Sequence, residues 1–367
     1  MKILLAYSKT FFRIGKESRY KNASAGINAK TLYEVLCQYG DVDYIDTSES
    51  YKTKGRKYDV FIGINANFNE IMDSIHCKKS IYYAVTQHPA VYSETLIAFR
   101  TRKKFYVSNE YIYELLKKTG IEKIFNIKWR EELKMKVPDL SGVDHIIVIG
   151  NKVTADSFHK AGIERRKIEY LSYELMKGKA FAKKKIGKRI KIVFPVANIY
   201  LGKGFDIFYQ MMYGMYKAGY LFDITIMGAC INPYYIKLIK KMQRWNLQVN
   251  YTGMVYDERY YDILKEQDFC ILPSLSEGQA GTVLDSMYCG VIPIITREAG
   301  VDFSPLGYMQ PRMNSKKNYA ILNKALNMGK EEIELLSGQT AQYYNSHNLG
   351  FRERLDSLMK GCIGIET

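Results

Sequence analysis

The sequence predicts an α/β chain of two doubly wound halves, each built on its own parallel sheet. Two observations lead there. Short apolar runs of strand length alternate with amphipathic stretches of helix length along most of the chain. The alternation also starts afresh after a strongly basic stretch near the middle.

In the first half the expected strands are Lys2–Ser8, Asp43–Ile45, Asp59–Ile64, Ser80–Val85 and His145–Ile149. A helix from about Gly26 to Tyr39 carries Leu32, Val35 and Leu36 on one face. After the fifth strand, Asn151 suits the N-cap of a helix that Gly162 would end. The second half repeats the pattern with Ile190–Pro195, Phe222–Met227, Leu247–Tyr251, Asp268–Leu272 and Val291–Ile295. Between the halves, Lys177–Lys191 holds eight basic residues and no acid, the composition of a solvated linker. The expected divisions are therefore 1–180, 181–346 and a terminal 347–367, in which His347–Lys360 reads as a helix.

A length of 367 residues suits two domains of ordinary size, and a hydrophobic fraction of 47% is globular. No apolar run approaches a bilayer span, and Met1–Ser8 reads as a first buried strand, too short for a signal peptide. Six scattered cysteines and five scattered histidines give no metal-binding spacing, so reduced thiols in a cytoplasmic protein are expected. With 54 basic against 38 acidic residues, the formal charge of +16 favours acidic partners. No nucleic-acid-binding motif accompanies that charge.

The densest chemistry lies in Pro273–Thr296, PSLSEGQAGTVLDSMYCGVIPIIT, where Glu277 and Asp285 stand eight residues apart. Val283, Leu284 and Met287 recur at helical spacing, so a helix opens near Ala280 and Gly290 ends it. The first N–H groups of such a helix lack internal partners and attract phosphate. Taken singly, Glu277 is a solvated loop residue and Asp285 an ordinary acid near a helix start.

Taken together, the stretch resembles the Glu-x7-Glu motif of retaining glycosyltransferase family 4, with its GT-B fold. Ser276, Glu277, Gly278, Gly281, Met287, Gly290 and Pro293 fall in register. Gln279-Ala280 replaces the usual Phe before Gly281, and Asp285 replaces the second Glu. The resemblance implies two Rossmann-like domains whose parallel sheets face a central cleft, and a terminal helix that crosses back to the first domain. It also implies that Glu277 holds donor-sugar hydroxyls, Asp285 the nucleotide ribose, and Gly278, Gly281 and Thr282 the donor backbone contacts.

Val196–Gly204 (VANIYLGKG) resembles the family's Gly-Arg, four residues, Lys-Gly loop, whose cations grip the donor diphosphate. Lys203 matches, whereas Asn198 stands at the arginine position and cannot supply a charge. Ala25-Gly26 lies where related enzymes carry Gly-Gly near the donor phosphates, and Gly15 is a weaker candidate in the loop before it. His88 follows a strand, at the place of a histidine near the reacting centre. Glu277, His88 and Lys203 are thus the expected catalytic residues.

The resemblance implies transfer from a UDP- or GDP-linked sugar to a glycan or lipid-linked acceptor in surface-polysaccharide assembly, with no metal and no other cofactor. A non-catalytic glycan- or nucleotide-binding subunit is the alternative that Asn198 and Asp285 favour. A second alternative is charge-driven binding to nucleic acid or membrane. Arg100, Arg102, Lys103 and Lys104, followed by Lys117, Lys118, Lys123, Lys128 and Arg130 among apolar residues, suit an anionic membrane surface.

Overall fold

Lys2–Tyr7 (β1) is apolar on both faces and five of its six residues are buried, as a central parallel strand requires. The computed structural model describes residues 1–8, 24–64, 67–104, 115, 118–120, 135–172, 179–181, 187–255 and 259–364. Gly15 and most of the basic stretch after Lys104 lie outside them. The chain divides into two units: Met1–Val91 with Lys136–Lys177 and Asn348–Thr367, and Tyr92–Met135 with Gly178–His347.

In the first unit, β1 is joined by Asp41–Asp46 (β2), Lys57–Gly63 (β3), His76–Ala84 (β4), His145–Ile149 (β5) and Ile168–Leu171 (β6). All pair in parallel, in the order β2-β1-β3-β4-β5-β6. The helices are Ser24–Leu36 (α1), Phe68–Ser74 (α2), the start of Pro89–Lys104 (α3) and Lys152–Lys160 (α4). Phe61, Phe68, Tyr82 and Phe158 pack ring against ring beneath one face of this sheet. Asn151 caps α4, its side chain accepting the Thr154 N–H at 3.0 Å. Strand β6 was not expected from the sequence. It is short, lies at an edge, and exposes Glu169 and Tyr170, so it has no apolar alternation to betray it.

In the second unit the strands are Ile190–Asn198 (β7), Phe222–Ala229 (β8), Val249–Gly253 (β9), Phe269–Leu272 (β10) and Ile292–Ile295 (β11). They pair in parallel in the order β11-β10-β7-β8-β9. Its helices are Phe205–Lys217 (α5), Pro233–Met242 (α6), Arg259–Lys265 (α7), Gly281–Tyr288 (α8), Lys316–Leu326 (α9) and Lys330–His347 (α10). The order reverses between β7 and β10, so the chain leaves their carboxyl ends toward opposite edges of the sheet, the switch point where doubly wound sheets bind ligands.

The helix expected to begin at His347 begins instead at Phe351, because α10 runs to His347 and Gly350, at φ +74°, breaks the two apart. Phe351–Ile363 (α11) belongs to the first unit. Tyr39 bonds Asp356, Arg352 meets Glu34 at 2.5 Å, and Lys79 Nζ donates to the Ile363 carbonyl at 3.0 Å.

One expected surface cation is committed elsewhere. Lys103 Nζ lies 2.5 Å from Asp206 Oδ1 in α5, and the Asp206 side chain is only 1% exposed. Tyr234 and Tyr235 donate to the same carboxylate at 2.8 and 3.1 Å. Lys103 therefore neutralises a buried acid and is not available to a lipid headgroup. Arg100 and Arg102 are half-buried, and the side chain of Lys104 lies outside the described residues. Lys103→Ser should lower unfolding free energy by about 1–3 kcal/mol in urea titration, because a buried carboxylate loses its cation but keeps two hydroxyl donors. A stability equal to the parent's would show the pair to be dispensable. Among the described residues no helix is long and apolar enough to cross a membrane. All six cysteines are free thiols.

Candidate active site

Three loops at the carboxyl edge of the second sheet are tied together through their main chains. The turn after β7 accepts the Leu275 N–H at the Gly202 carbonyl, at 2.8 Å. The turn after β11 accepts Glu277 N–H at the Glu298 carbonyl (2.8 Å) and Ala280 N–H at the Ala299 carbonyl (2.9 Å). Thr296 Oγ1 adds a bond to the Ser274 carbonyl at 2.6 Å. Two glycines permit this closeness. Gly204 (φ +69°) and Gly300 (φ +75°) occupy left-handed backbone, and a Cβ on either would strike the Pro273 or Gly278 carbonyl oxygen.

This frame sets Lys203 against Glu277. Lys203 Nζ is 2.5 Å from Glu277 Oε1, and Ser274 Oγ donates to the same oxygen at 2.9 Å. The two side chains keep 18% and 13% of their surface exposed, so the pair sits at a wall rather than in the core. Lys203 also lies over the Tyr200 ring, and Tyr200 shares a hydrogen bond with Tyr92. Ser276 Oγ is buried and has no hydrogen-bond partner among the described residues. Nearby in sequence, α8 opens at Gly281 after Ala280, whose side chain cannot cap it, and Gly281 and Thr282 are half-buried there. A cation, a carboxylate, a buried hydroxyl and uncapped N–H groups in one place suit a ligand that carries both phosphate and hydroxyl groups.

Asp285 lies one turn into α8, half-buried. Tyr260 OH donates to its Oδ2 and Tyr261 OH to its Oδ1, each at 3.1 Å. Burial pushes the Asp285 carboxyl up to about 7, against the pull of the two hydroxyls. Asn198 ends β7 with its side chain exposed. Arg297 stacks on Tyr308 in the turn after β11.

The remaining expected residues belong to the first unit. Gly26 is buried in the first turn of α1. His88 is buried at the head of α3, where its Nδ1 accepts the Ala90 N–H at 3.3 Å and its ring meets Phe158 edge-on. Burial lowers its pKa, so the imidazole is neutral at neutral pH. The sequence reading missed Ser274, Tyr92, Tyr200 and the pair Tyr260–Tyr261. Ser274 lies three residues before Glu277 in the quoted motif and was within reach; the tyrosines come from other segments and carry no motif. Among the described residues no three His, Cys, Asp or Glu side chains gather as a metal site.

Residues 190–307 match the model of the family described as Glycosyl transferases group 1. The matched segment contains β7–β11 and with them Lys203, Glu277 and Asp285. No curated protein matches the chain in sequence. Among solved structures, the chain is similar to sucrose-phosphate synthase from Thermosynechococcus elongatus, with TM-score 0.64 and 11% identity over 100% of both chains. It is similar to WaaG, a glycosyltransferase involved in lipopolysaccharide biosynthesis, with TM-score 0.58 and 11% identity over 98% of this chain and 100% of that one. TarM of S. aureus, solved with fondaparinux, α-GlcNAc-glycerol and UDP, aligns with TM-score 0.52 and 12% identity over 83% of this chain. This chain spans only about half of TarM's length (55%). At such identities the likeness is one of fold, and the fold is the α/β two-sheet architecture of GT-B glycosyltransferases.

Proposed function

We propose that the protein is a retaining, metal-independent glycosyltransferase that moves a sugar from a UDP- or GDP-linked donor to a glycan or lipid-linked acceptor. The observation that carries this reading is the Lys203–Glu277 pair beside the uncapped start of α8, at the switch point of the second sheet. The lysine and the helix N–H groups would receive the donor diphosphate, and Glu277 the sugar hydroxyls next to it. In the reaction the bond between the anomeric carbon and the phosphate oxygen breaks, and the new glycosidic bond forms on the same face. The acceptor hydroxyl passes its proton to the departing phosphate, so the protein supplies no nucleophile. Fixed donors aimed at the phosphate lower the barrier because charge grows there in the transition state.

A part in surface-polysaccharide assembly, and docking to an anionic membrane, extend the same reading. The docking rests on the formal charge of +16. It does not rest on Lys103, which is paired with Asp206.

The test is incubation of the purified chain with UDP- and GDP-sugars and an acceptor panel, with products read by NMR. The expected product keeps the donor's anomeric configuration, and its rate of formation is unchanged by EDTA. Inversion would remove the retaining mechanism, and restoration of an EDTA-silenced enzyme by Mg²⁺ or Mn²⁺ would remove metal independence. Nucleotide binding with neither transfer nor donor hydrolysis would leave the non-catalytic subunit, which Asn198 in place of an arginine favours.

A further inference from the structure

We infer that Tyr260 and Tyr261 are positioning residues for Asp285: their two hydroxyls hold its carboxylate in a fixed direction and favour its charged form, ready to accept a nucleotide's ribose hydroxyls. The inference rests on the functional reading above, in which Asp285 meets the ribose.

The geometry is unusual for two neighbouring residues of a helix. Side chains at consecutive helical positions diverge around the axis and do not ordinarily meet one partner. Here the rings stand nearly perpendicular, at 86° with centroids 5.1 Å apart, and both hydroxyls reach the same carboxylate. Each hydroxyl takes a different oxygen. An ionised carboxylate offers about four lone-pair sites, so among the described residues one acceptor position remains on each oxygen. Two free acceptors on a rigid carboxylate match the two hydroxyls of a ribose diol. An aspartate reaches one methylene less far than a glutamate and has one torsion fewer to adjust. Its direction must therefore be set by neighbours.

The charge state also depends on the pair. Burial disfavours the Asp285 carboxylate, and the two tyrosine hydroxyls stabilise it. Other titratable groups around the cluster are Cys289 just after α8, Cys270 on β10, Tyr344 on α10, and Lys265 and Asp262 on α7. Burial first, and then the adjacent carboxylate, raise both tyrosines well above their ordinary value, so they remain donors at every pH considered below. Removing their hydroxyls should therefore drive Asp285 further toward its neutral form.

The signs can be separated. Asp285 titrates higher in the folded chain than in the unfolded one, so its own contribution to stability is present below the unfolded value and is lost as pH rises through about 7. Nucleotide affinity should run the opposite way, falling as pH drops through the same range because the ribose prefers the ionised acceptor.

The experiment is calorimetric titration of the full chain with UDP and with GDP from pH 6 to pH 9. The parent, the double variant Tyr260→Phe/Tyr261→Phe, and Asp285→Asn are compared, with thermal melts as a control on folding. For the parent, affinity for the preferred nucleotide should fall on the acid side with a midpoint near 7, by at most about tenfold per pH unit for one proton. The double phenylalanine variant should shift that midpoint upward by about one unit, losing about fivefold at pH 7 and recovering near pH 9. Asp285→Asn should bind weakly and show no acid limb. A double variant that binds like the parent at every pH, or one weakened equally at every pH, overturns the inference while leaving the functional reading in place. Failure of both nucleotides to bind the folded parent at any pH removes both.

Discussion

Glu277→Gln should lower sugar transfer by about 100- to 1,000-fold, with nucleotide affinity within about threefold of the parent. Glutamine keeps the length and shape of the side chain but loses the charge that accepts from Lys203 and Ser274. A contact to the donor sugar strengthens as the anomeric carbon gains positive character, so its loss falls on turnover. The nucleotide, which the proposed function assigns to Lys203 and the start of α8, should be little affected. Folding should survive, because both partners of the pair retain some exposure and Lys203 can turn toward water. Donor hydrolysis, transfer and UDP or GDP titration measure these quantities separately. Parallel loss of nucleotide affinity and melting temperature would make Glu277 a structural residue and sink its assignment to the sugar.

The second large effect is on folding. Gly204→Ala should destabilise the second unit by on the order of 3 kcal/mol or more. Left-handed backbone alone costs an alanine roughly 1–2 kcal/mol. The added Cβ also meets the Pro273 carbonyl oxygen, a main-chain atom fixed just beyond the end of β10. Gly219 provides the comparison, since it too has positive φ (+86°) but has nothing within 4 Å of the added carbon. Gly219→Ala should show the conformational strain without the collision. Urea unfolding of the two variants should therefore differ clearly, and equal losses would show that the approach of the β7 and β10 loops is not what Gly204 protects.

The strands of both sheets were legible because a buried parallel strand must be apolar on both faces, and β1, β5, β7, β8, β10 and β11 are. The pieces of the candidate site that lie on one loop were legible for a similar reason: Lys203-Gly204 and Ser276–Gly281 must follow strands to work. What escaped the sequence was pairing at a distance. Lys103 reads as one more cation in a basic run, and only the folded chain brings it to Asp206. Tyr260 and Tyr261 carry no motif, and their joint target lies on another helix, α8. The break at Gly350 was missed because Asn348–Gly350 is too short to interrupt the helical pattern around it. The strand β6 was missed because edge position, rather than burial, defines it.

The three loops around Lys203 and Glu277 are joined by peptide groups, which every residue possesses whatever its side chain. Apart from Gly204, Gly300 and the Thr296 hydroxyl, that scaffold is indifferent to what it carries. Asn198 and Asp285 stand where the resembled family has arginine and glutamate, and the loops close regardless. Such an arrangement separates inheritance of shape from inheritance of preference. A lineage built on it can exchange the groups that choose a sugar or a base one at a time, in whatever order a new substrate rewards, without passing through an unfolded ancestor.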